Sequence, residues 1–436
     1  MKIENSRLRF LLPGLKLKRY VILIILSILL LMYGIFVFST VLSQNEYFMN
    51  SFLYPGKYFD VPFEGFYIQI VSVLVIIASI ILLYIGISLL VQSVAKALVP
   101  DKPYEEIMNL LFERRKESLK KRVVNIGGGT GTTAVLEGLR GKFLKISAVI
   151  TVADSGGSSG RLRRELNVPP PGDIRNCLLA LTDENSLARK ILSYRFNAPN
   201  SCLDGHNLGN ILIAGLTKVT NDFGDAVLKL SKLLNIDGEV LPFTEDEAIL
   251  CAEFEDGEIV EGEAEITERG KKIKRVFLKN GEIKPYLPAL ERILNADVIV
   301  IGPGSLFTSI MPPLLIPSIV DTIRRSNAIK IYVVNAMTEH GETDGFTASH
   351  HVKVIVDTIG DGVLNYAVIN TKEFSKETLS RYKLSNSEPV IPDVENVSKL
   401  GVKPILGYFA KERGGLIRHD PEALGEIIMK LVQKRA

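Results

Sequence analysis

The 436-residue chain contains no tryptophan, only three cysteines and five histidines, and almost no net charge. Cys177, Cys202 and Cys251 are odd in number, far apart and not at metal-ligand spacing, which argues against a disulfide framework and a structural zinc site. A reducing compartment fits this cysteine usage best. The net charge of +3 gives no electrostatic reason to expect nucleic acid as a partner.

Charged side chains are absent from two long apolar stretches, residues 21–42 and 66–91. As helices, both are long enough to cross a hydrocarbon core of about 30 Å. A cleaved signal peptide fits poorly, because the first stretch exceeds a normal apolar segment and no small-residue cleavage site follows it. The sequence therefore predicts a membrane hairpin within residues 1–95.

Basic residues are distributed unevenly around this hairpin. Lysine and arginine are frequent before residue 21 and after residue 91, whereas Lys57 is the only basic residue between the two stretches. The positive-inside rule then places both termini in the cytoplasm. We expect a multi-pass protein of the cytoplasmic membrane with its main domain in the cytoplasm, joined through a charged helical connector at residues 96–121.

From residue 122 to residue 436 the pattern is strand, glycine-rich turn and helix, repeated. Short, unalternating apolar runs are typical of parallel strands that are buried on both faces. These runs are 122–126, 145–153, 297–301, 330–335 and 365–369. They predict an α/β fold with a Rossmann-like doubly wound parallel sheet. Residues 249–284 instead alternate apolar and charged side chains, which predicts a small antiparallel β insertion.

The first glycine-rich turn follows the apolar run at 122–126 and precedes a helical pattern. Its glycines let the backbone approach a phosphate, and the helix N-terminus presents unpaired N–H groups. The P-loop pattern fails because no lysine precedes the hydroxyls, and a tight packing turn is the alternative. The predicted ligand contacts in this turn are Gly127, Gly128, Gly129, Thr130, Gly131 and Thr132.

A second polar loop follows the apolar run at 145–153. It combines a carboxylate, backbone donors, hydroxyls and an arginine directly after a buried strand, which favours ligand binding over a flexible surface loop. The predicted contacts are Asp154, Ser155, Gly156, Gly157, Ser158, Ser159 and Arg161.

The third turn, residues 169–176, is stiffened by three prolines and contains Asp173. Asp173 is predicted either to cap the helix that begins near Ile174 or, together with Asp154, to hold a Mg²⁺ ion through water. Both alternatives stay open at this point. Arg175 and Asn176 complete this turn as predicted ligand contacts.

Later polar turns are expected to widen the same crevice. His206, Asn207 and Asn210 form a dense polar cluster before a helix, although a lone histidine is more often structural. Another strand-end glycine turn follows the run at 297–301. The further predicted contacts are Gly302, Gly304, Ser305 and Asn335.

Five phrases, taken together and in order, resemble the YvcK/CofD family. They are Gly-Gly-Gly-Thr-Gly (127–131), Thr-Val-Ala-Asp-Ser-Gly-Gly-Ser-Ser-Gly-Arg-Leu-Arg (151–163), Pro-Pro-Gly-Asp-Ile-Arg-Asn-Cys-Leu (170–178), Gly-His-Asn-Leu-Gly-Asn (205–210) and Gly-Pro-Gly-Ser-Leu (302–306). The resemblance covers about residues 122–410, and the membrane hairpin lies outside it.

The resemblance to the YvcK-type gluconeogenesis factors implies a nucleotide-sugar-binding domain, notably for UDP-N-acetylglucosamine. It also implies a role in cell shape and peptidoglycan synthesis during gluconeogenic growth. Cell-wall synthesis proteins and a second copy of the chain are candidate partners. The CofD branch instead implies a Mg²⁺-dependent transfer of a phospholactyl group from a nucleotide diphosphate donor to a deazaflavin. Family members often carry a second carboxylate where this chain has Ser155, and that departure argues against a two-carboxylate metal site.

A dehydrogenase is the third alternative. Asp154 stands where a ribose-binding acid would stand in a dinucleotide-binding fold, but the glycine- and serine-rich loop after it is foreign to that class. We therefore expect a membrane-tethered nucleotide-sugar-binding regulator first and a transferase second.

Overall fold

A computed structural model describes residues 17–44, 63–99, 102–142, 144–154, 156–279 and 281–434. The chain divides into two compact units, Met1–Leu119 and Lys120–Ala436.

The first unit consists of helices α1 (Leu17–Gln44), α2 (Phe63–Leu98) and α3 (Tyr104–Leu119). Helices α1 and α2 pack together where Gly34 allows close approach, since a Cβ there would lie 2.9 Å from Ile76 Cγ1. Their apolar spans bury only 11% and 17% of their residues, so much apolar surface on both helices faces outward. Both helices are long and apolar enough to cross a membrane, as the sequence predicted.

The second unit is an α/β domain. Its strands are β1 (Lys121–Gly127), β2 (Leu144–Ile150), β3 (Glu239–Pro242), β4 (Leu250–Phe254), β5 (Ile259–Glu261), β6 (Ile273–Leu278), β7 (Val298–Ile301), β8 (Ile329–Val333), β9 (Tyr366–Asn370), β10 (Lys403–Gly407), β11 (Ala410–Arg413) and β12 (Leu416–His419).

The helices of this domain cover the sheet and connect its strands. They are α4 (Gly129–Leu139), α5 (Gly157–Leu166), α6 (Gly172–Ala180), α7 (Leu187–Ser193), α8 (Leu208–Thr220), α9 (Phe223–Leu233), α10 (Glu263–Arg269), α11 (Leu287–Leu294), α12 (Met311–Leu314), α13 (Pro317–Arg325), α14 (Ala348–Ile359), α15 (Lys376–Leu384), α16 (Val394–Lys399) and α17 (Pro421–Gln433), with a π-helical turn at Leu306–Ile310.

Seven parallel strands form the central sheet in the order β10-β9-β8-β7-β1-β2-β3. From β1 the chain proceeds to β2 and β3 on one side, and β7, β8, β9 and β10 follow on the other. The central strands are rich in buried valine and isoleucine, because helices cover both faces of the sheet. The predicted Rossmann-like doubly wound sheet is confirmed.

The β insertion is also confirmed, as a three-stranded antiparallel sheet in the order β5-β4-β6. One part of its predicted pattern is wrong, because residues 263–269 form helix α10 between β5 and β6. The prediction also missed β3 and β10, which are the two edge strands of the main sheet.

Candidate functional site

Strands β1 and β7 lie side by side at the point where the strand order of the sheet reverses. The connections that follow these two strands leave in opposite directions, and this creates a crevice at the carboxyl ends of the strands. Open α/β sheets bind their ligands in such a crevice. The turn after β1 begins at Gly127 and the turn after β7 at Gly302. The backbone amide of Gly302 donates to Ile126 O at 2.8 Å, so the two turns start in contact.

Asn125 fixes the geometry of these two turns. It lies in β1 with no exposed surface, and its side-chain Nδ2 donates to Val300 O at 3.1 Å and to Gly302 O at 2.8 Å. Sequence reasoning missed this residue. The signal was available, since a polar side chain within a strand that is buried on both faces needs partners for its amide.

Helix α4 begins directly after the first glycine turn. Its N-cap residue, Gly128, has an extended backbone and no side chain to satisfy the first amides of the helix. Gly131 lies so close to the second turn that a Cβ would be 2.5 Å from Pro303 O. The two turns therefore form one backbone cradle around the N-terminus of α4. The first amide of this helix, Gly129 N, donates to Asp173 Oδ2, and the amides that follow it in the first turn lack an intrahelical acceptor, an arrangement that suits an anion.

The structure contradicts the predicted capping role of Asp173. Helix α6 begins at Gly172, its N-cap is Pro171, and no side chain caps it. Asp173 Oδ2 instead accepts a hydrogen bond from the amide of Gly129 at 2.8 Å, which ties the third turn to the first. Burial is the largest cause that raises the pKa of Asp173 to about 6, and the nearby charge of Asp154 adds to it.

A Mg²⁺ ion that is shared with the phosphates of a ligand needs only one or two carboxylates, so the role of Asp154 and Asp173 in holding Mg²⁺ stays a prediction. Asp154 Oδ1 accepts from the amide of Gly156 at 2.8 Å, and Asp173 is engaged by Gly129. Within the residues that the structure describes, no three histidine, cysteine, aspartate or glutamate side chains are grouped to hold a metal ion. Ser155 lies outside the described residues.

The second loop and the turn at 204–210 pack against each other through buried polar side chains. Ser158 Oγ lies 3.0 Å from His206 Nδ1 and accepts from Asn207 N at 3.5 Å and Asn210 Nδ2 at 3.4 Å. Two donors already point at this hydroxyl, so its own proton faces His206 Nδ1. Burial lowers the pKa of His206, which keeps the ring neutral. These predicted residues are thus brought together, mainly as a brace between two loops.

A cleft of about 570 Å³ opens over the carboxyl ends of β1, β7 and β8, and we call it the switch-point cleft. Some predicted residues line it: Gly129, Thr130, Gly131, Gly304, Ser305 and Asn335. Asp154, Ser158, Arg161, Arg175, His206 and Asn210 belong to the neighbouring loops instead and are not among its lining residues.

The opposite wall of the switch-point cleft was not predicted. It consists of Tyr382 from α15 and the antiparallel hairpin β11–β12, which presents Lys411, Arg413 and Arg418. The Tyr382 hydroxyl accepts from the amide of Ile417 at 2.9 Å and so holds the hairpin in place. The sequence contains no motif that would predict this wall, because its cationic residues are spread over a short hairpin near the end of the chain.

The hairpin concentrates positive charge at the cleft. Lys411 and Arg418 are directly opposite each other in the register, and Arg413 follows two residues later on the same face. Like charges in directly opposed positions destabilise a hairpin unless an anion or acid offsets them. Lys411 is paired with Asp420 at 2.9 Å, whereas neither arginine forms an ion pair within the described part of the chain. Arg413 and Arg418 are therefore available to an anionic ligand.

Carboxyl groups gather at the same edge of the sheet. Burial raises the pKa of Glu342 to about 7, with Glu339 as the next cause, and burial likewise raises the pKa of Glu339. Glu263, from α10 of the insertion, has its pKa raised to about 8 by burial and then by the charges of Asp173 and Asp154. The insertion therefore brings a mostly protonated carboxyl group to this edge, which sequence reasoning missed.

These carboxyl groups predict that the α/β domain loses stability as the pH rises from about 6.5 to about 8. The pKa values of Glu263 and Glu342 lie above their ordinary value of 4.5, so the folded state binds more protons than the unfolded chain in this window. Below pH 6.5 the buried rings of His351 and His419, with pKa values of about 4, act in the opposite direction. Pulse proteolysis in urea across this range measures the effect.

The control for this pH dependence is the paired substitution Glu263→Gln and Glu342→Gln, which should flatten the decline. A free energy of unfolding that rises between pH 6.5 and 8 would contradict the assigned protonation states.

The α/β domain matches a family model described as "2-phospho-L-lactate transferase CofD" over residues 123–410. A "Gluconeogenesis factor" from Halalkalibacterium halodurans is 47% identical over 311 residues, which are 71% of this chain and 96% of that protein. A "Putative gluconeogenesis factor" from Nostoc sp. is 38% identical over 431 residues, which are 98% of this chain and 92% of that protein.

The structural comparison agrees with these matches. An X-ray crystal structure of a protein from Bacillus halodurans superposes with a TM-score of 0.69 at 47% sequence identity, covering 71% of this chain and 99% of that one. The match to the Nostoc protein covers 98% of this chain, so it includes helices α1 and α2 as well.

Proposed function

This chain belongs to the CofD family and is similar to its gluconeogenesis factors, and from that premise we propose that it binds a nucleotide-sugar of the UDP-N-acetylglucosamine type in the switch-point cleft. The observation that carries the proposal is the pairing of two walls. One wall is the N-terminus of α4 with its glycine cradle, and the other is the cationic face of the β11–β12 hairpin.

The chemistry of these walls matches the parts of such a ligand. A diphosphate needs backbone donors and cations, which the α4 N-terminus, Arg413 and Arg418 supply. A flat base needs an apolar or aromatic surface, which Tyr382 and Leu416 supply. Sugar hydroxyls need polar acceptors and donors, and Ser305 and Asn335 are polar residues that line the cleft. A volume of about 570 Å³ is within the range of small-molecule sites.

We propose that ligand binding serves regulation. Helices α1 and α2 tether the domain to the cytoplasmic membrane, with both termini inside the cell, where precursors of the cell wall are assembled. A nucleotide-sugar that fills the cleft would report the supply of such precursors. The proposed outcome is control of peptidoglycan synthesis and cell shape during gluconeogenic growth, through contacts with cell-wall synthesis proteins.

A second candidate is the transferase activity that the description of the family model names. Incubation with Mg²⁺, a phospholactyl nucleotide diphosphate and a deazaflavin acceptor tests it by product analysis. We expect no product, because this chain has Ser155 where family members often carry a second carboxylate.

Calorimetric titration of the full chain in detergent micelles tests the binding proposal. UDP-N-acetylglucosamine should give a saturable heat with one site per chain, and UDP alone should bind more weakly because it lacks the sugar contacts. Circular dichroism establishes that the sample is folded. A folded sample with no saturable heat, or one that prefers NAD⁺, would refute the proposal.

A further inference from the structure

Three arginine side chains converge on the turn at residues 204–210, outside the switch-point cleft. Arg161 Nη2 donates to Asp204 O at 2.9 Å, Arg195 Nη1 donates to Gly205 O at 2.7 Å, and Arg175 Nε donates to Asn210 Oδ1 at 3.4 Å. They come from three different segments, namely α5, the residues after α7, and α6. The tertiary fold therefore places three guanidinium groups around one short turn.

The three groups are close enough to act on one another and on His206. Burial and then the charge of Arg195 lower the pKa of Arg175. After burial, the charges of Arg161 and Arg195 both help to lower the pKa of His206. Each guanidinium group thus contributes to a local field that opposes further positive charge, and the charges of Asp173 and Glu165 offset part of this field. Such a cluster costs free energy in an empty protein.

Several other arginines in this domain form ion pairs with carboxylates. Arg163 pairs with Glu247 at 2.8 Å and Arg292 pairs with Glu239 at 2.7 Å. In the described ranges of the chain, by contrast, Arg161, Arg175 and Arg195 form no ion pair with a carboxylate and donate only to neutral oxygens. Their remaining N–H groups are available, and arginine presents them in a fork that suits a phosphate.

The surroundings add backbone donors. Helix α5 starts at Gly157 beside the same turn, and its N-cap, Gly156, provides no side chain that would occupy the first amides. The brace of Ser158, His206 and Asn210 anchors α5 to the turn. An anion at this position would therefore meet three cations and a helix N-terminus held in a fixed arrangement.

We propose that Arg161, Arg175 and Arg195 form a second anion subsite, which takes the phosphate group of a small phosphorylated compound while a nucleotide-sugar occupies the switch-point cleft. This second subsite rests on the proposed function in one respect only, namely that the ligand in the switch-point cleft is a nucleotide-sugar. It makes the protein a receptor for two anionic ligands. Asp173 connects the two places, since it bonds to Gly129 beside the cleft and precedes Arg175 by two residues.

Inorganic phosphate is the probe for this subsite. The full chain in detergent micelles is saturated with UDP-N-acetylglucosamine, and its thermal unfolding is followed while sodium phosphate replaces sodium chloride at constant ionic strength. We expect a saturable rise in Tm with phosphate. Arg195→Gln, alone and with Arg161→Gln, should raise the half-saturating phosphate concentration at least tenfold, because glutamine can donate to the turn but carries no charge.

Controls separate this subsite from the cleft. Arg164→Gln, on the exposed side of the same helix, should leave the phosphate response unchanged. Arg195→Gln should bind UDP-N-acetylglucosamine in calorimetry within about twofold of the wild type. Arg418→Ala should still show the rise in Tm with phosphate when no nucleotide-sugar is present.

Three results would overturn the second subsite. The wild-type chain could give no saturable rise with phosphate, Arg195→Gln could respond to phosphate within twofold of the wild type, or UDP-N-acetylglucosamine could displace phosphate competitively. Each of these leaves the calorimetric test of the cleft intact, so the failure of this inference and that of the proposed function are distinguishable.

Discussion

Arg418→Ala is expected to weaken UDP-N-acetylglucosamine binding by about 10- to 100-fold. A charge-assisted hydrogen bond to a phosphate contributes roughly 1.5 to 3 kcal/mol, and about 1.4 kcal/mol corresponds to a tenfold change in Kd. Arg418 has no carboxylate partner among the described residues, so its removal leaves no buried charge behind and should spare the fold. Calorimetric titration of the full chain measures the loss.

The matched control is Arg325→Ala, which removes an exposed arginine at the end of α13, remote from the cleft. This variant should bind like the wild type. If Arg418→Ala bound the nucleotide-sugar as tightly as Arg325→Ala, the hairpin would not form a wall of the binding site.

Gly138→Val should destabilise the α/β domain by about 3 kcal/mol or more. Helices α4 and α17 pack through Gly138 and Gly425, and a Cβ on Gly138 would overlap the backbone carbonyl oxygen of Pro421. Overpacking usually costs 1–3 kcal/mol, and here the obstacle is backbone, which cannot rotate away like a side chain. Since α4 carries the glycine cradle, the nucleotide-sugar affinity should fall as well.

Gly215→Ala is the control for this packing prediction. Gly215 lies on the exposed side of α8, and a Cβ there would meet nothing within 4 Å. Alanine is the better helix former by about 1 kcal/mol, so this variant should be as stable as the wild type or slightly more stable. Pulse proteolysis in urea compares the two variants. Equal stabilities would contradict the described contact between α4 and α17.

The sequence predicted the centre of the sheet well and its edges poorly. Strands β1, β2, β7, β8 and β9 were recognised because burial on both faces makes them continuous apolar runs. The two missed strands, β3 and β10, are the edge strands. They are short, begin with Glu239 and Lys403, and contain a proline, and such features are typical of sheet edges.

The functional site likewise has one part that the sequence predicts and one part that it does not. The glycine turns after β1 and β7 could be predicted because their function depends on local backbone freedom. The cationic wall could not be predicted, because only the tertiary fold brings Arg413 and Arg418 into the same cleft as Gly131. Asp173 illustrates the limit of local reasoning, since it bonds to Gly129, 44 residues earlier, rather than capping its own helix.

A crystal structure of the chain grown with UDP-N-acetylglucosamine tests the central claim most directly. We predict that the diphosphate lies at the N-terminus of α4, between the glycine cradle at Gly129–Gly131 and the side chains of Arg413 and Arg418, with Tyr382 against the base or sugar. A nucleotide-sugar bound elsewhere on the domain, with the switch-point cleft empty, would contradict the account.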